Sequence, residues 1–512
     1  MTSGAAAPVA APNRFLITVA LMSATVLQVL DITIVNVALP HMAGSLGATL
    51  DNISWVLTSY LIGASIMMPL TGYFTERIGR RRFLLGSVAG FVVASGFCGI
   101  STNLPEIVLL RFLQGLFGAS IVPLAQAVMA QTYPAEERGR AMAIWGMGVM
   151  VAPILGPTLG GWLTESFSWR WTFYINLPVG IASLALSARY IPDTQRRNRD
   201  MDWLGFGALA VSLTALQLLL DRGEQLDWFA SAFVRACAYV AGGGFAFFLW
   251  RAFTQRAHPV LRLQVLRDRN LAIACSLMAV VGMGMYGAQL LLPEFFESLL
   301  NFPAFDAGLW MAPRGVAMFF AMMLVGRLSG RVPLRSMIGS GVLCAVAGSY
   351  LATRLNGDVT GAWFLPALVL QGAGMGLIFV PMSTLAFSTI GHDHAAEAAG
   401  IYSLVRSVGS AIGISVVSTY LTRATQTQWE LLRGQVTPFN GAAAQYLQGL
   451  HLAPSSPLGV QLLAQAVGDQ ARIAAFVDAL WLITASFAAM LPLLLLLRAP
   501  RRVAASPVQS VE

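Results

Sequence analysis

About fourteen long apolar runs follow one another along this chain of 512 residues, and they limit what it can fold into. A helix rises about 1.5 Å per residue, so roughly 20 apolar residues cross about 30 Å of bilayer hydrocarbon. The composition agrees: 56% of the residues are hydrophobic, 11% are charged and the mean hydropathy is +0.67. Soluble globular proteins are less apolar than this. The runs predict spans at residues 15–39, 53–74, 83–101, 105–130, 139–163, 169–191, 203–221, 230–250, 270–293, 304–326, 336–354, 361–389, 396–422 and 473–497.

The positions of the basic residues predict how the chain crosses the membrane. All 32 are arginines; with the N-terminus inside, 22 fall in cytoplasmic segments and 6 in outer segments. Because positively charged loops stay on the cytoplasmic side, both termini are predicted to be cytoplasmic. The net charge of +8 therefore reflects membrane topology, and no nucleic-acid partner is predicted. The 4 remaining arginines lie within or at the ends of spans: Arg111, Arg235, Arg314 and Arg406.

The sequence contains no recognisable motif of an enzyme active site or of a metal site. The four cysteines lie in apolar segments without metal-ligand spacing, so neither a disulfide nor a metal site is predicted. The chain has no phosphate-binding loop, metalloprotease helix or nucleophile elbow. The first apolar run is too long for a cleaved signal and is kept as a span. We therefore predict a protein that is not an enzyme and uses no cofactor.

An internal repeat predicts how the spans are arranged. Two short matches recur at offsets of 257 and 258 and a third, weaker match at 254; they pair residues 113–115 with 370–372, 122–123 with 380–381, and 72–77 with 326–331. Matches at nearly one offset indicate two homologous halves. The offset leaves room for two extra helices between them. We predict an N-terminal six-helix half at 1–195, two inserted helices at 196–255 and a C-terminal six-helix half at 256–512.

Asp31 lies inside the first apolar run. An ionised acid near the middle of a membrane helix costs about 2.5–3.5 kcal/mol on insertion scales, so it calls for a partner, a proton or a water-filled cavity. Gln28 shares the helical face of Asp31, whereas Asn36 points to another side. Polar residues thus lie on more than one side of the helix, as expected of a helix that lines a cavity. Gln28 and Asn36 are candidate substrate-binding residues. The alternative is an acid buried against protein and kept protonated.

The fourth span carries a basic counterpart to this acid. Arg111, Gln114, Gly115 and Gly118 fall on one helical face, and a buried arginine is as costly as a buried acid. We therefore predict that Arg111 faces the same cavity as Asp31, that this pair couples transport to protons, and that Gln114 contacts substrate. The repeat has Leu368 in place of the arginine, which favours function over scaffold.

The loop after the second span reads G-Y-F-T-E-R-I-G-R-R-R-F. This pattern resembles the signature loop of the major facilitator superfamily. Glu76 stands where aspartate is commoner in that family, and the negative charge is kept. The resemblance implies a conformational latch; topology alone would explain the arginines but not the glycines. The residues concerned are Gly72, Glu76, Arg77, Gly79 and Arg80.

The fifth span has small residues at four-residue intervals, with prolines between them. Such spacing lets two membrane helices approach closely, and the prolines interrupt helical hydrogen bonding. The string resembles the motif typical of drug antiporters in the superfamily, which implies export; ordinary small-residue packing is the alternative. Its residues are Gly148, Ala152, Pro153, Gly156, Pro157, Gly160 and Gly161.

Two further strings, W-R-W-T-F-Y-I-N-L-P-V-G at 169–180 and L-D-R-G-E-Q-L-D-W at 220–228, narrow the resemblance. They are similar to the fourteen-span drug:proton antiporters of EmrB/QacA type, the EmrB branch in particular. The resemblance implies an all-α membrane protein of the major facilitator fold, in the bacterial inner membrane. It also implies small lipophilic substrates and protons as ligands, membrane lipid as surroundings, and a periplasmic adaptor with an outer-membrane channel as partners. The outer segment 423–472 is expected to form a helical hairpin or a disordered linker.

The hypothesis from sequence is a secondary active exporter. Asp31 binds a proton from outside and releases it inside with the help of Arg111, while the two halves rock around a midplane cavity. Glu294, at the outer end of the ninth span, either helps to bind cations or is a solvated loop acid. The alternatives are an exporter dedicated to an endogenous metabolite or fatty acid, and a transporter-shaped sensor.

Overall fold

The computed structural model describes residues 14–194, 196–197, 200–254, 261–300, 302–354, 363–391, 394–436, 441–449 and 456–496. Within them, 14 helical segments are long and apolar enough to cross a membrane, which confirms the predicted all-α membrane architecture. The first ten helices are α1 Arg14–Ser45, α2 Leu50–Ile53, α3 Trp55–Met67, α4 Thr71–Ile78, α5 Arg80–Ile100, α6 Leu104–Gly118, α7 Ile121–Thr132, α8 Ala135–Ser166, α9 Trp171–Tyr174 and α10 Asn176–Tyr190.

The remaining helices follow in the same way. The middle pair is α11 Trp203–Arg222 and α12 Ala232–Thr254. The last set is α13 Arg269–Ser298, α14 Ala304–Leu328, α15 Leu334–Ala352, α16 Phe364–Ala386, α17 Ala395–Gln435, α18 Gly441–Gly449, α19 Pro457–Ala488 and α20 Met490–Leu494. Short 3-10 turns occur at Met68–Leu70, Trp228–Ala230 and Leu263–Arg267. Four spans are each made of two helices: α3 with α4, α6 with α7, α9 with α10, and α19 with α20.

Local sequence explains where several helices begin. Asn103 caps α6, since its side chain accepts a hydrogen bond of 2.9 Å from the backbone N–H of Glu106, and a proline follows at the first turn. Ser456 caps α19 in the same way, accepting from the N–H of Gly459 at 3.0 Å, again with a proline in the first turn. Polar caps satisfy donors that a helix start leaves open, and proline lacks the donor altogether.

The helices pack as two sets with a boundary between them. In the first set α1 lies against α8 and α10, and α3 against α6; in the second α13 lies against α17, and α16 against α14 and α15. The sets meet where α8 contacts α14 and where α4 and α7 contact α17. Lipid tails provide no hydrophobic drive between helices, so such contacts depend on close van der Waals fit and on small residues.

The same glycine contact occurs once in each set. A Cβ on Gly115 of α6 would overlap the carbonyl oxygen of Tyr60 on α3, and a Cβ on Gly372 of α16 would overlap that of Arg314 on α14. Both glycines end the repeated Leu-Gln-Gly string, so the matching sequences make matching contacts. Tyr60 and Arg314 are therefore equivalent positions in the two sets.

The middle pair of helices touches both sets. Ser212 of α11 donates to the carbonyl of Ala241 on α12 at 2.7 Å, which holds the pair together. Thr58 of α3 donates to Asp221 of α11 at 2.8 Å, and Ser415 of α17 donates to the carbonyl oxygen of Leu220 at 2.8 Å. Hydrogen bonds to these two neighbouring residues thus join the C-terminal end of α11 to one helix from each set.

The other end of this pair of helices is held by an ion pair. Arg251 of α12 donates two hydrogen bonds, of 2.7 and 2.8 Å, to the two carboxylate oxygens of Asp202 just before α11. These bonds favour the charged form, so Arg251 holds the pKa of the Asp202 carboxyl below its usual value. Two parallel bonds also orient the ends of both helices.

The outer segment 423–472 differs from a simple loop. Helix α17 continues to Gln435, and α19 begins at Pro457, well before residue 473, where the last apolar span was predicted to start. A Cβ on Gly468 would lie 3.2 Å from the ring of Trp429, and Gln428 donates to Asp478 at 3.4 Å. The described parts of this segment are helical, as one of the two alternatives predicted, and α17 packs against α19.

Candidate functional site

Asp31 and Arg111 form a direct ion pair among the helices of the first set. Nη1 of Arg111 lies 2.6 Å from Oδ2 of Asp31, and both side chains are 0% exposed. Two opposite charges in contact are far less costly to bury than either one alone. The sequence predicted a water-filled cavity around them; in this structure protein surrounds both side chains instead. Each side chain thus supplies the partner that a polar group inside a membrane helix requires.

Two amides complete the coordination of the carboxylate. Gln114 accepts a hydrogen bond of 2.7 Å from Nη1 of Arg111 and donates one of 2.9 Å to Oδ1 of Asp31. Asn176 at the start of α10 donates to the same Oδ1 at 2.7 Å and to Oγ of Ser95 at 2.9 Å. Arg111, Gln114 and Asn176 all donate to the carboxylate, so both of its oxygens have hydrogen-bond partners.

Sequence reasoning singled out Gln114 but not Asn176. The asparagine lies in the string 169–180, which was quoted only for its family resemblance. A signal existed: a polar amide within an apolar span needs a partner, just as an acid does. What the sequence could not supply is which helix brings that partner, because α10 is 145 positions away from Asp31 in the chain.

Arg111 is enclosed by aromatic rings as well as by hydrogen bonds. Its Nε donates to the carbonyl oxygen of Val56 on α3 at 3.2 Å. Its guanidinium carbon lies 4.5 Å from the ring centre of Tyr60 and 5.7 Å from that of Phe173. Aromatic faces attract a cation strongly where water is absent. The site is therefore built to hold a charged guanidinium without solvent.

Of the other predicted substrate residues, Gln28 lies beside Tyr60, and Asn36 and Glu294 lie apart from this network. Gln28 is buried on α1, 5% exposed, and its Oε1 has no hydrogen-bond partner among the described residues. Asn36 is exposed on α1, and Glu294 is exposed on α13 in the second set. Within the described chain neither Asn36 nor Glu294 forms a hydrogen bond or ion pair, and the structure does not bring them to Asp31.

The predicted loop after the second span is largely helical: Gly72, Glu76 and Arg77 lie in α4, and the turn is at Gly79, before α5. This segment, still called the loop below, contacts the second set of helices. Oε1 of Glu76 lies 3.5 Å from Nη1 of Arg262, and the backbone N–H of Arg262 donates to Oε1 of Glu397 at 2.6 Å. A Cβ on Gly72 would lie 2.9 Å from Cβ of Glu397, the acid in the first turn of α17. The loop therefore touches α17 through a glycine and through a shared arginine.

The rest of this loop is tied to the end of the first set. Gly79 has a φ of +96°, a backbone region that residues with side chains rarely adopt, so glycine is required for the turn. The backbone N–H of Arg80 donates to Thr194 at 3.0 Å, and Arg77 donates to the hydroxyl of Tyr73 at 2.8 Å. These contacts set the direction in which α5 leaves the turn.

Three glycines of α8 face α1. A Cβ on Gly148 would overlap Met22, one on Gly156 would overlap Thr33, and one on Gly160 would lie 3.0 Å from the carbonyl oxygen of Ile34. Gly161 has nothing within 4 Å. Pro153 and Pro157 lie inside α8, as the sequence indicated. The string thus brings α8 against α1, the helix that carries Asp31.

This arrangement gives a matched pair of substitutions. We expect Gly156→Ala to lower the free energy of unfolding by about 1–3 kcal/mol, because the new methyl group overlaps Thr33. Gly161→Ala should be neutral or stabilising by up to about 1 kcal/mol, since alanine is the better helix former and the space is open. Thermal unfolding of the purified full-length protein in detergent measures both. Equal destabilisation by the two substitutions would contradict the packing described here.

Comparison with known proteins gives a family and several relatives. The model of the Major Facilitator Superfamily matches residues 21–414. The multidrug export protein EmrB of Escherichia coli is 31% identical over 500 residues, covering 96% of this chain and 97% of that protein. The fatty acid resistance protein FarB of Neisseria gonorrhoeae is 32% identical over 449 residues, covering 87% of this chain and 88% of that protein.

Solved structures agree on the fold. The human organic anion transporter MFSD10 superimposes with a TM-score of 0.62 at 13% identity, covering 93% of this chain and 100% of that one. The proton:xylose symporter XylE superimposes with a TM-score of 0.59 at 15% identity, covering 94% of this chain and 96% of that one. At these identities the likeness concerns the arrangement of helices alone.

Proposed function

The chain belongs to the major facilitator superfamily, in its EmrB-like branch, and we propose that it is a proton-coupled multidrug exporter of lipophilic compounds. Its family makes it a transporter rather than an enzyme. The observation that carries the proposal is the enclosed Asp31–Arg111 pair: a titratable acid, 0% exposed, held by a cation and two amides in a membrane helix. Intramembrane acids and bases are by default part of a substrate or proton pathway.

Proton binding would act through the charge of this pair. With Asp31 ionised the pair is neutral, and the enclosed form is acceptable. Protonation removes the negative charge and leaves Arg111 as a single cation out of water, which costs several kcal/mol. The enclosed form is then disfavoured relative to one that admits water. Proton uptake from outside and release inside would in this way drive the exchange between outward- and inward-open forms.

Two six-helix halves, 1–195 and 256–512, would rock about the site, with residues 196–255 as an inserted pair. The loop at Glu76 is the proposed latch on the cytoplasmic side, because Arg262 connects it to Glu397 of α17. Separation of the halves there would break both contacts. The interdigitated α1–α8 contact supports motion of these two helices as one body.

The driving force is sufficient for useful export. One proton entering through about 100 mV supplies about 2.3 kcal/mol, enough for roughly a fiftyfold gradient of a neutral substrate. A monovalent cation exchanged for one proton moves no net charge and must depend on the pH difference. The charge of the substrate therefore decides which part of the proton gradient does the work.

The proposed setting is the bacterial inner membrane with both termini cytoplasmic, an orientation that the arginine distribution supports. A periplasmic adaptor and an outer-membrane channel are the proposed partners. The support is the outer extension of α17 to Gln435 and the start of α19 at Pro457, which leave helices beyond the expected membrane surface. A second cargo, a fatty acid, is favoured by the 32% identity to the fatty acid resistance protein FarB.

The deciding experiment is proton release from the purified protein on addition of substrate. Wild-type protein in weakly buffered detergent should release protons when a lipophilic cation, a neutral compound or a fatty acid from a test panel binds. Release occurs because substrate and proton binding are coupled through Asp31. In liposomes, an imposed inward proton gradient should then drive uphill efflux of the same compounds. Binding without proton release, together with transport indifferent to the gradient, would refute the proposal.

A further inference from the structure

The second set of helices contains positions that match the Asp31–Arg111 site of the first set, but the charged residues there are different. Gln114 and Gln371 are matching residues of the repeat, and Ser95 and Ser349 lie at the offset of 254 found for the loops. Ser95 accepts a hydrogen bond from Asn176, and Ser349 accepts one of 3.1 Å from Nε2 of Gln371. A buried amide and a buried serine therefore recur.

The charged members of the site do not recur in the same places. Leu368 occupies the position of Arg111, so the guanidinium on α6 has no counterpart on α16. Instead Arg314 stands on α14 where Tyr60 stands on α3, as the matching glycine contacts show. In the first set a cation, Arg111, pairs with an acid and stacks on the ring of Tyr60. In the second set a cation, Arg314, occupies the position that corresponds to Tyr60.

Arg314 lacks an acid partner. Its recorded hydrogen bond is a long one of 3.5 Å, from Nη2 to the carbonyl oxygen of Met285 on α13. No carboxylate lies within ion-pair distance of it in the described part of the chain. The residue lies near the middle of α14, a helix of 25 residues. A guanidinium at that depth, bound only weakly by one carbonyl, is energetically unfavourable unless something negative joins it.

The position of Arg314 also suits a ligand. The residue is only partly buried, and its neighbour Gly315 faces Ile154 of α8, a helix of the first set. Arg314 therefore lies beside the boundary at which the two sets meet. Ligand sites of transporters with two repeats form at such boundaries near the bilayer midplane.

We infer that Arg314 binds the negatively charged group of a transported lipophile, so that the exporter accepts amphipathic anions such as carboxylates. This rests on the proposed function and assigns a binding residue to the anionic cargo proposed there. The guanidinium pairs with carboxylate oxygens in a planar, two-bond geometry, and its partner arrives with the substrate. The Asp31–Arg111 pair stays free for the proton. Export of one anion against entry of one proton moves two charges in the same direction, so transport of these substrates is strongly voltage-driven.

The test compares three probes with one chain length and different charge: decanoate, decanol and decyltrimethylammonium. Binding to purified full-length protein in detergent is followed by quenching of tryptophan fluorescence. Wild-type protein should prefer decanoate. Arg314→Gln should weaken decanoate binding by about 10- to 100-fold, the range expected for a charge-assisted hydrogen bond, and leave decanol binding unchanged. Arg314→Lys should restore part of the affinity because it keeps the charge.

Arg235→Gln is the matched control. Arg235 lies on α12 and donates to the carbonyl oxygens of Phe229 and Ala230 at 2.7 and 2.9 Å. Its replacement should therefore leave the binding of all three probes unchanged. An equal loss of all three probes in Arg314→Gln, or a wild-type preference for the cation, would overturn the inference. If decanoate releases protons equally from wild type and Arg314→Gln, the exporter proposal stands and this inference is wrong. If no probe releases protons from wild-type protein, the proposed function fails, and the binding series still decides the role of Arg314.

Discussion

Asp31→Asn is expected to abolish proton-coupled efflux while the protein still reaches the membrane. Asparagine has nearly the same shape but cannot take up or release a proton, so substrate-induced proton release should fall below detection. The substitution also leaves Arg111 buried and 0% exposed without its counter-charge, which should destabilise the fold by about 3–5 kcal/mol. Proton release in detergent and uphill efflux in proteoliposomes are the two measurements.

Two further variants separate loss of coupling from loss of stability. The double variant Asp31→Asn with Arg111→Gln removes both charges, so it should regain much of the lost stability and still release no protons. Asp221→Asn is the matched control, because this acid also lies in a membrane helix but bonds to Thr58 at the C-terminal end of α11. It should keep wild-type coupling. Normal proton release by Asp31→Asn would show that another group carries the proton.

Gly115→Ala is expected to have the largest effect on folding. The added methyl group would overlap the carbonyl oxygen of Tyr60, and neither partner in this contact is a flexible side chain. The helices α3 and α6 must separate, which should lower the free energy of unfolding by about 3 kcal/mol or more. Efflux should fall as well, because Tyr60 also stacks on Arg111 at 4.5 Å. Thermal unfolding and yield of the full-length protein measure the first effect.

Gly86→Ala provides the comparison on α5. Gly86 has nothing within 4 Å, so its added methyl group meets open space and should leave stability unchanged or raise it by up to about 1 kcal/mol. If the two substitutions lowered the unfolding temperature equally, glycine content rather than the α3–α6 contact would explain the result. If Gly115→Ala were harmless, the close approach of these helices would be wrong.

Much of the fold could be predicted from the chain because membrane spans are a local property. A run of about 20 apolar residues is sufficient to identify a span, whatever the rest of the molecule does. Helix bounds were predicted less well: α19 begins at Pro457, well before the predicted start at 473, because residues 457–472 lack a continuous apolar run. The division into halves and the roles of the site residues remain predictions.

Only part of the candidate site could be predicted from the sequence. Asp31, Arg111 and Gln114 could be selected because each is too polar for its span, and the structure joins all three by hydrogen bonds of 2.6–2.9 Å. Asn176 and Tyr60 were missed, and Asn36 and Glu294 were selected although the structure leaves them apart from the network. Helical spacing tells which residues share a face of one helix, but it is silent about the neighbouring helix.

The sequence by itself determined the number of spans, the residues that cannot rest unpartnered in hydrocarbon, and the repeat that relates the two sets of helices. These follow from the free energy of transferring single residues and segments into lipid, which needs no knowledge of neighbours. Only the tertiary structure decided that Asp31 meets Arg111 in an enclosed pair rather than across an open cavity, and that Arg314 has no acid partner among the described residues. Those outcomes depend on which helices approach one another, and glycine contacts between distant parts of the chain set that approach.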